Sequence, residues 1–298
     1  MIKPVKTIFN AFMMLFLLIG CQPTEEKSDV VLDETPQETP QVADVSVTFQ
    51  VPTPNELFTL FDEVSVDFNA DLLNSTENID QLYSTNKSKA LSFGAYSADL
   101  AFAANFGEAS ESLKYFSAIR SLGDQLNVNN AFDQAVFDRI EQNIDQGNND
   151  SLFNLSSETY YNAYSYLKEN DRGPALSLII VGGWVESLYL LTNLVDESNS
   201  DYLLSRVADQ RLTLENLYGF MSEFQENQDV ADVMEALVPI EDVLMNLDTD
   251  ESEVATQANE NGTFSLEGGT DFVLSQEQFN TLKDAVSNLR SSIVLSEI

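Results

Sequence analysis

Asp99 and Glu186 are the two acids of this chain that stand where an acid can do chemistry. Asp99 is the only charged residue between Ala90 and Phe106, and Glu186 is the only one between Pro174 and Val195. A carboxyl group in so apolar a setting must be paired, hydrogen-bonded or protonated. Brought together, the two admit three arrangements. They can form a structural network with an arginine and tyrosine hydroxyls. They can line a pocket for a small polar ligand or cation, walled by Tyr96, Trp184 and Tyr189. Facing each other across an open cleft at roughly 5–10 Å, they can act as the two carboxyl groups of glycan hydrolysis. The structural network is the expectation. Its expected cation is Arg211, which borders the apolar seam of its helix in line with Val207, Leu214 and Tyr218, ahead of Arg120 and Arg206.

Other chemistries are excluded by residue type. The 298 residues contain no histidine and one cysteine, Cys21. That removes the commonest general base, the Ser-His-Asp and Cys-His arrangements, and the usual zinc and haem ligands. Gly182-Gly183 has no Lys-Ser/Thr behind it, and Gly268-Gly269 lacks the spacing of a phosphate loop. "DTDESEVATQANE" from Asp248 begins like a calcium loop but carries Glu253 where the sharp turn needs glycine. No metal, cofactor or catalytic residue is therefore expected, and a non-enzymatic role follows. The net charge of −35 repels phosphate backbones, so nucleic acid is not an expected partner.

The elements that must hold the two acids are helical. Pro54 opens "NELFTLFDEV", with Leu57, Leu60, Phe61 and Val64 on one face. Helices are expected from about Lys87 to Phe106, over "SLKYFSAIRSLGDQL", over "NAFDQAVFDRIEQNI" (Phe132, Val136, Ile140, Ile144) and over "SLFNLSSETYYNAYSYLKEN", the last capped by Asn149 or Asp150. Gly173-Pro174 opens the most apolar helix, ending near Val195. It is long enough to cross a bilayer. A central glutamate and the absence of flanking basic clusters favour a core helix instead, in which Gly182 and Gly183 let a neighbour come close. Ser200 or Asp201 starts a helix reaching Phe224, and "DVADVMEALVPIEDVLMNL" is another, bent or weakened at Pro239. "NENGTFSLEGGTDFVLS" reads as a small hairpin or loop. Ser275 and Gln278 then form a capping box before a last helix with the stripe Phe279, Leu282, Val286, Leu289 and Ile293. The fold class is all-α: one domain, residues 54–298, of antiparallel hairpins around a central apolar helix. A helical solenoid is the alternative.

The first 53 residues differ in kind. Lys3 and Lys6 precede the apolar run Ile8 to Ile19, which is the pattern of a secretory signal peptide spanning residues 1–20. The run ends in Leu18-Ile19-Gly20-Cys21, which resembles the lipobox of bacterial lipoproteins. That resemblance implies cleavage before Cys21, lipid on its thiol, usually acylation of the new amino terminus, and a membrane partner reached through that lipid. Gln22 behind the cysteine implies sorting to the outer membrane, and Glu25-Glu26 resembles the surface-export signal of Bacteroidota lipoproteins. Residues 21–53, rich in Pro, Thr, Glu and Asp, are expected to form a disordered tether. Cleavage takes away Lys3 and Lys6 and no acid, leaving 12 basic against 49 acidic groups and a net charge of −37. "FGAYSADLAFAANF", "VGGWVESLYL" and the capped last helix make the folded part similar to uncharacterised helical lipoproteins of Bacteroidota. That similarity implies fold and location and supplies no catalytic residue.

Overall fold

The structure, a computed structural model, describes residues 53–59, 64, 66–77, 79–128, 138–139, 142–143, 149–196, 199–258 and 264–298. The expected signal peptide, Cys21 and the expected tether up to Pro52 lie outside the described residues. So do Leu60, Phe61 and the positions Phe132, Val136, Ile140 and Ile144 of one expected helix.

The described chain is dominated by helix. It comprises α1 (Pro54–Phe58), α2 (Ile79–Leu82), α3 (Asn86–Asn105), α4 (Ala109–Gln125), α5 (Asn149–Glu169), α6 (Gly173–Leu194), α7 (Ser200–Ser222), α8 (Gln228–Leu244) and α9 (Gln276–Val294). A hairpin of β1 (Asp248–Ala258) and β2 (Phe264–Val273) stands between α8 and α9. Its strands pair antiparallel, Asp248 opposite Val273 and Ala258 opposite Phe264, with a register shift between Ser252 and Ala255. The fold is all-α in class; the stretch expected as hairpin or loop supplies β2 alone, and β1 lies before it, in the segment from Asp248 that begins like a calcium loop.

α6 is the centre. It packs most extensively on α3, and also on α9, α7, α5, α1 and α8. In a repeat array each helix would meet only its neighbours in sequence. Here α9 packs on α8, α6 and α3, so the domain is a bundle around one helix rather than a solenoid. By length and composition α6 is apolar enough to cross a membrane, yet 89% of its most apolar window is buried by the other helices.

Glycine sets the central contact. A Cβ on Gly94 would overlap the carbonyl of Ile179 and come within 2.6 Å of the backbone nitrogen of Gly183. A Cβ on Gly182 would overlap the carbonyl of Leu91. The backbones of α3 and α6 therefore touch, and the side chains beyond the crossing are drawn together.

The ends of the elements follow local rules. Thr85 and Ser88 make a reciprocal capping box at the start of α3, as do Ser275 and Gln278 at α9. The stripe of α9 is buried at all five positions, Phe279, Leu282, Val286, Leu289 and Ile293. α8 continues through Pro239, although proline withholds the N–H that would bond four residues back.

Candidate functional site

Beyond the α3–α6 crossing lies the polar centre of the domain. Asp99 of α3 is fully buried. Its Oδ2 accepts two bonds from Asn74, from the side-chain Nδ2 at 2.7 Å and from the backbone N–H at 3.2 Å. Asn74 lies in the irregular segment 66–77, which carries a single 3₁₀ turn at Ala70–Leu72. The same segment is held from two other helices. Tyr115 of α4 donates its hydroxyl to the carbonyl of Asn74 at 2.8 Å, and Tyr96 of α3 donates to that of Ser75 at 2.7 Å.

Burial pushes the Asp99 carboxyl well above its ordinary value, and the negative charge of Glu186 adds to the rise. The bonds from Asn74 and the charge of Arg290 act in the opposite direction and do not offset it. Tyr96 and Tyr115 are also pushed up, by burial first and then by the Tyr83 hydroxyl at Tyr96 and by Asp99 at Tyr115, which keeps both hydroxyls as donors.

Glu186 of α6 is met by Arg290 of α9. Nε of the arginine donates to Oε2 at 3.0 Å and to Oε1 at 3.3 Å, and Nη2 donates to Oε1 at 3.2 Å. Nη2 also donates to the carbonyl of Leu72 at 3.1 Å. The guanidinium lies 4.5 Å from the centre of the Tyr189 ring, a cation–π contact one helical turn from the acid it serves. Burial disfavours the Arg290 charge, but the charge of Glu186 and its hydrogen bonds outweigh that and raise the pKa. The glutamate side chain is 1% exposed and the arginine 16%.

The expected site is thus partly assembled and partly dispersed. Asp99, Glu186, Tyr96 and Tyr189 belong to one polar centre. Arg211 does not: its Nε bonds Glu215 of its own helix at 3.1 Å, and its guanidinium covers the Phe272 ring of β2 at 4.6 Å. The reason is local, because an acid four residues on along the helix is always within reach. Trp184 is also turned away. It is two residues from Glu186, about 200° around an α-helix, and its indole N–H donates to Gln210 of α7 at 3.1 Å. The aromatic wall expected from Tyr96, Trp184 and Tyr189 is therefore not formed.

Three participants escaped the sequence reading: Arg290, Asn74 and Tyr115. For Arg290 a signal was present. It sits four residues after Val286 and three before Ile293, the same relation that Arg211 has to Val207 and Leu214. Unlike Arg211, it has no acid three or four residues away in either direction. In a chain this acidic, an arginine beside a buried stripe and without a local partner must find its acid on another helix. Asn74 offers no such clue, since no periodicity marks an irregular segment.

The centre holds two carboxyl groups and one guanidinium. Four buried oxygens, Oδ1 of Asn74, Oδ1 of Asp99 and the hydroxyls of Ser92 and Ser187, have no hydrogen-bond partner among the described residues. No group of three or more Asp, Glu, His or Cys side chains suited to a metal ion occurs among the described residues. What these groups do chemically is fasten segment 66–77 and α9 to the α3–α6 crossing. Comparison with protein-family models, with curated proteins and with solved structures finds no match.

Proposed function

We propose that this chain is a lipid-anchored protein of the cell envelope, on the outer membrane, whose helical domain is a non-enzymatic interaction or scaffold module. The observation that carries the anchoring is Leu18-Ile19-Gly20-Cys21 directly behind basic residues and a short apolar run. Lipid on Cys21 is the membrane partner, since acyl chains contribute about 0.8 kcal/mol per buried CH₂ and two together give stable anchorage. The non-enzymatic part is supported by the state of the two acids. A hydrolytic pair needs both carboxyl groups at an open cleft, whereas Asp99 is 0% and Glu186 1% exposed. A ligand pocket at the same place has less support, because Arg290 occupies Glu186 and Trp184 faces α7.

Replacement of the anchor tests the reading. Cys21→Ser is expected to abolish metabolic labelling with a radioactive fatty acid and to move the protein out of the membrane fraction. Labelling and fractionation that survive the substitution would overturn it.

A further inference from the structure

Two of the partnerless oxygens lie on residues that already bond each other. Nδ2 of Asn74 donates to Oδ2 of Asp99, and the other oxygens of the same two groups, Oδ1 of Asn74 and Oδ1 of Asp99, have no partner among the described residues. A carboxylate beside an amide can make that one bond and leaves two spare acceptors. A carboxylic acid beside an amide makes two: N–H to one carboxyl oxygen, and O–H from the other back to the amide oxygen. A single proton on Asp99 turns two unsatisfied atoms into a donor and its acceptor.

Charge points the same way. Among the described residues, the groups that face Asp99 are Glu186 from α6, Arg290 from α9, Tyr115 from α4, Tyr96 from its own helix and Asn74 from segment 66–77. Arg290 is the one cation among them, and it grips Glu186 with two nitrogens. Neither tyrosine donates to Asp99; their hydroxyl protons go to the carbonyls of Asn74 and Ser75. An ionised Asp99 would be a buried second negative charge beside Glu186 with no cation of its own.

We propose that Asp99 and Asn74 form a carboxylic acid–amide pair, and that its proton latches segment 66–77 onto the crossing of α3 and α6. The latch is a short row of contacts on Leu72, Asn74 and Ser75, and the acid–amide pair is the only member of that row that ionisation of Asp99 breaks. Loss of the proton removes the O–H bond and sets a like charge against Glu186. The folded chain keeps this proton in a range where the unfolded chain, with an ordinary aspartate near pH 3.9, has released it. The latch therefore contributes in full below about pH 3.9 and is lost as pH rises through the folded value. Within that window the folding constant falls about tenfold per pH unit relative to a chain whose residue 99 cannot ionise.

The test uses the full chain labelled with ¹³C at the aspartate carboxyls. The Asp99 resonance, identified by its absence in Asp99→Asn, is expected to stay at its protonated position at a pH where the surface aspartates have ionised. Melting temperatures of the two chains, followed across pH, are expected to diverge, with the wild type losing ground as pH rises. An Asp99 resonance that titrates together with the surface aspartates would overturn the proposal. So would an ionised Asp99 accompanied by a melting temperature raised by sodium and not by choline, since a metal cation would then stand in place of the proton. If Asp99→Asn does not fold, sequential assignment identifies the resonance and the titration decides alone.

Discussion

Arg290 reaches across 104 residues of sequence to grip Glu186 through two nitrogens, and the same guanidinium holds the carbonyl of Leu72. Losing one member of such a buried pair costs about 3–5 kcal/mol. The two losses are not equal. Arg290→Ala strands a carboxylate that is 1% exposed beside Asp99. Glu186→Ala leaves an arginine that keeps the Leu72 carbonyl and the Tyr189 face and is itself partly exposed. Arg290→Ala is expected to lower the melting temperature on the order of 10 °C, Glu186→Ala less, and the double variant less than the sum. Arg211→Ala, whose pair with Glu215 is half exposed, is the control and should cost under about 1 kcal/mol. Thermal melts of the wild type, the two single variants and the double variant give the cycle; additivity would separate the two residues.

The glycines of the α3–α6 crossing rank by what a methyl group would meet. Gly182→Ala and Gly94→Ala place Cβ on a backbone carbonyl, which cannot turn aside as a side chain can. Each should destabilise by about 1–3 kcal/mol or more. Gly183→Ala meets the carbonyl oxygen of Gly94 and the ring of Pro54 at 3.4 Å, ordinary contact distances. There the gain in helix propensity, about 1 kcal/mol, offsets the crowding. Urea unfolding should separate Gly183→Ala clearly from the other two.

At α9 the cap is worth a separate measurement. Ser275 accepts the N–H of Gln278 at 3.3 Å, and Gln278 donates from its side chain to the carbonyl of Asn246 at 3.2 Å, tying the helix start to the end of α8. Ser275→Ala is expected to cost about 1 kcal/mol, read as a shift in the urea midpoint with the slope unchanged.

Asp232 titrates in the opposite sense to Asp99. Hydrogen bonds from Lys87, at 2.8 Å, and from Gln228 hold its carboxyl below the usual range. A depressed carboxyl contributes stability above its unfolded value, about 3.9, and loses it as pH falls through the folded value. Asp232→Asn should therefore flatten the acid limb of the stability profile. Being exposed, the effect should shrink in 1 M salt. Acid titration of wild type and variant at two salt concentrations checks both statements.

The helices were legible because burial imposes a spacing. Phe279, Leu282, Val286, Leu289 and Ile293 fall on one face of α9 by their spacing alone, and all five are buried. The solitary acids were legible as a problem, since Asp99 and Glu186 break otherwise apolar runs. Their solution was not. Periodicity says which side of a helix faces inward, but not which helix lies opposite. Arg211 and Arg290 satisfy the same spacing, and only the acid at position 215 tells them apart. Asn74 was hidden more deeply, because its place depends on the path of an irregular segment.

The order of synthesis gives the Arg290–Glu186 contact a further meaning. A ribosome adding about 5–20 residues per second makes Arg290 roughly 5–20 s after Glu186. Throughout that interval the segments of α3 and α6 carry both of their acids without the guanidinium that pairs with Glu186 in the folded domain. The crossing is charge-balanced only when α9 arrives. A chain that has made α3 and α6 but not yet α9 thus gains less from the crossing than the whole domain does, because one buried acid still waits for its cation.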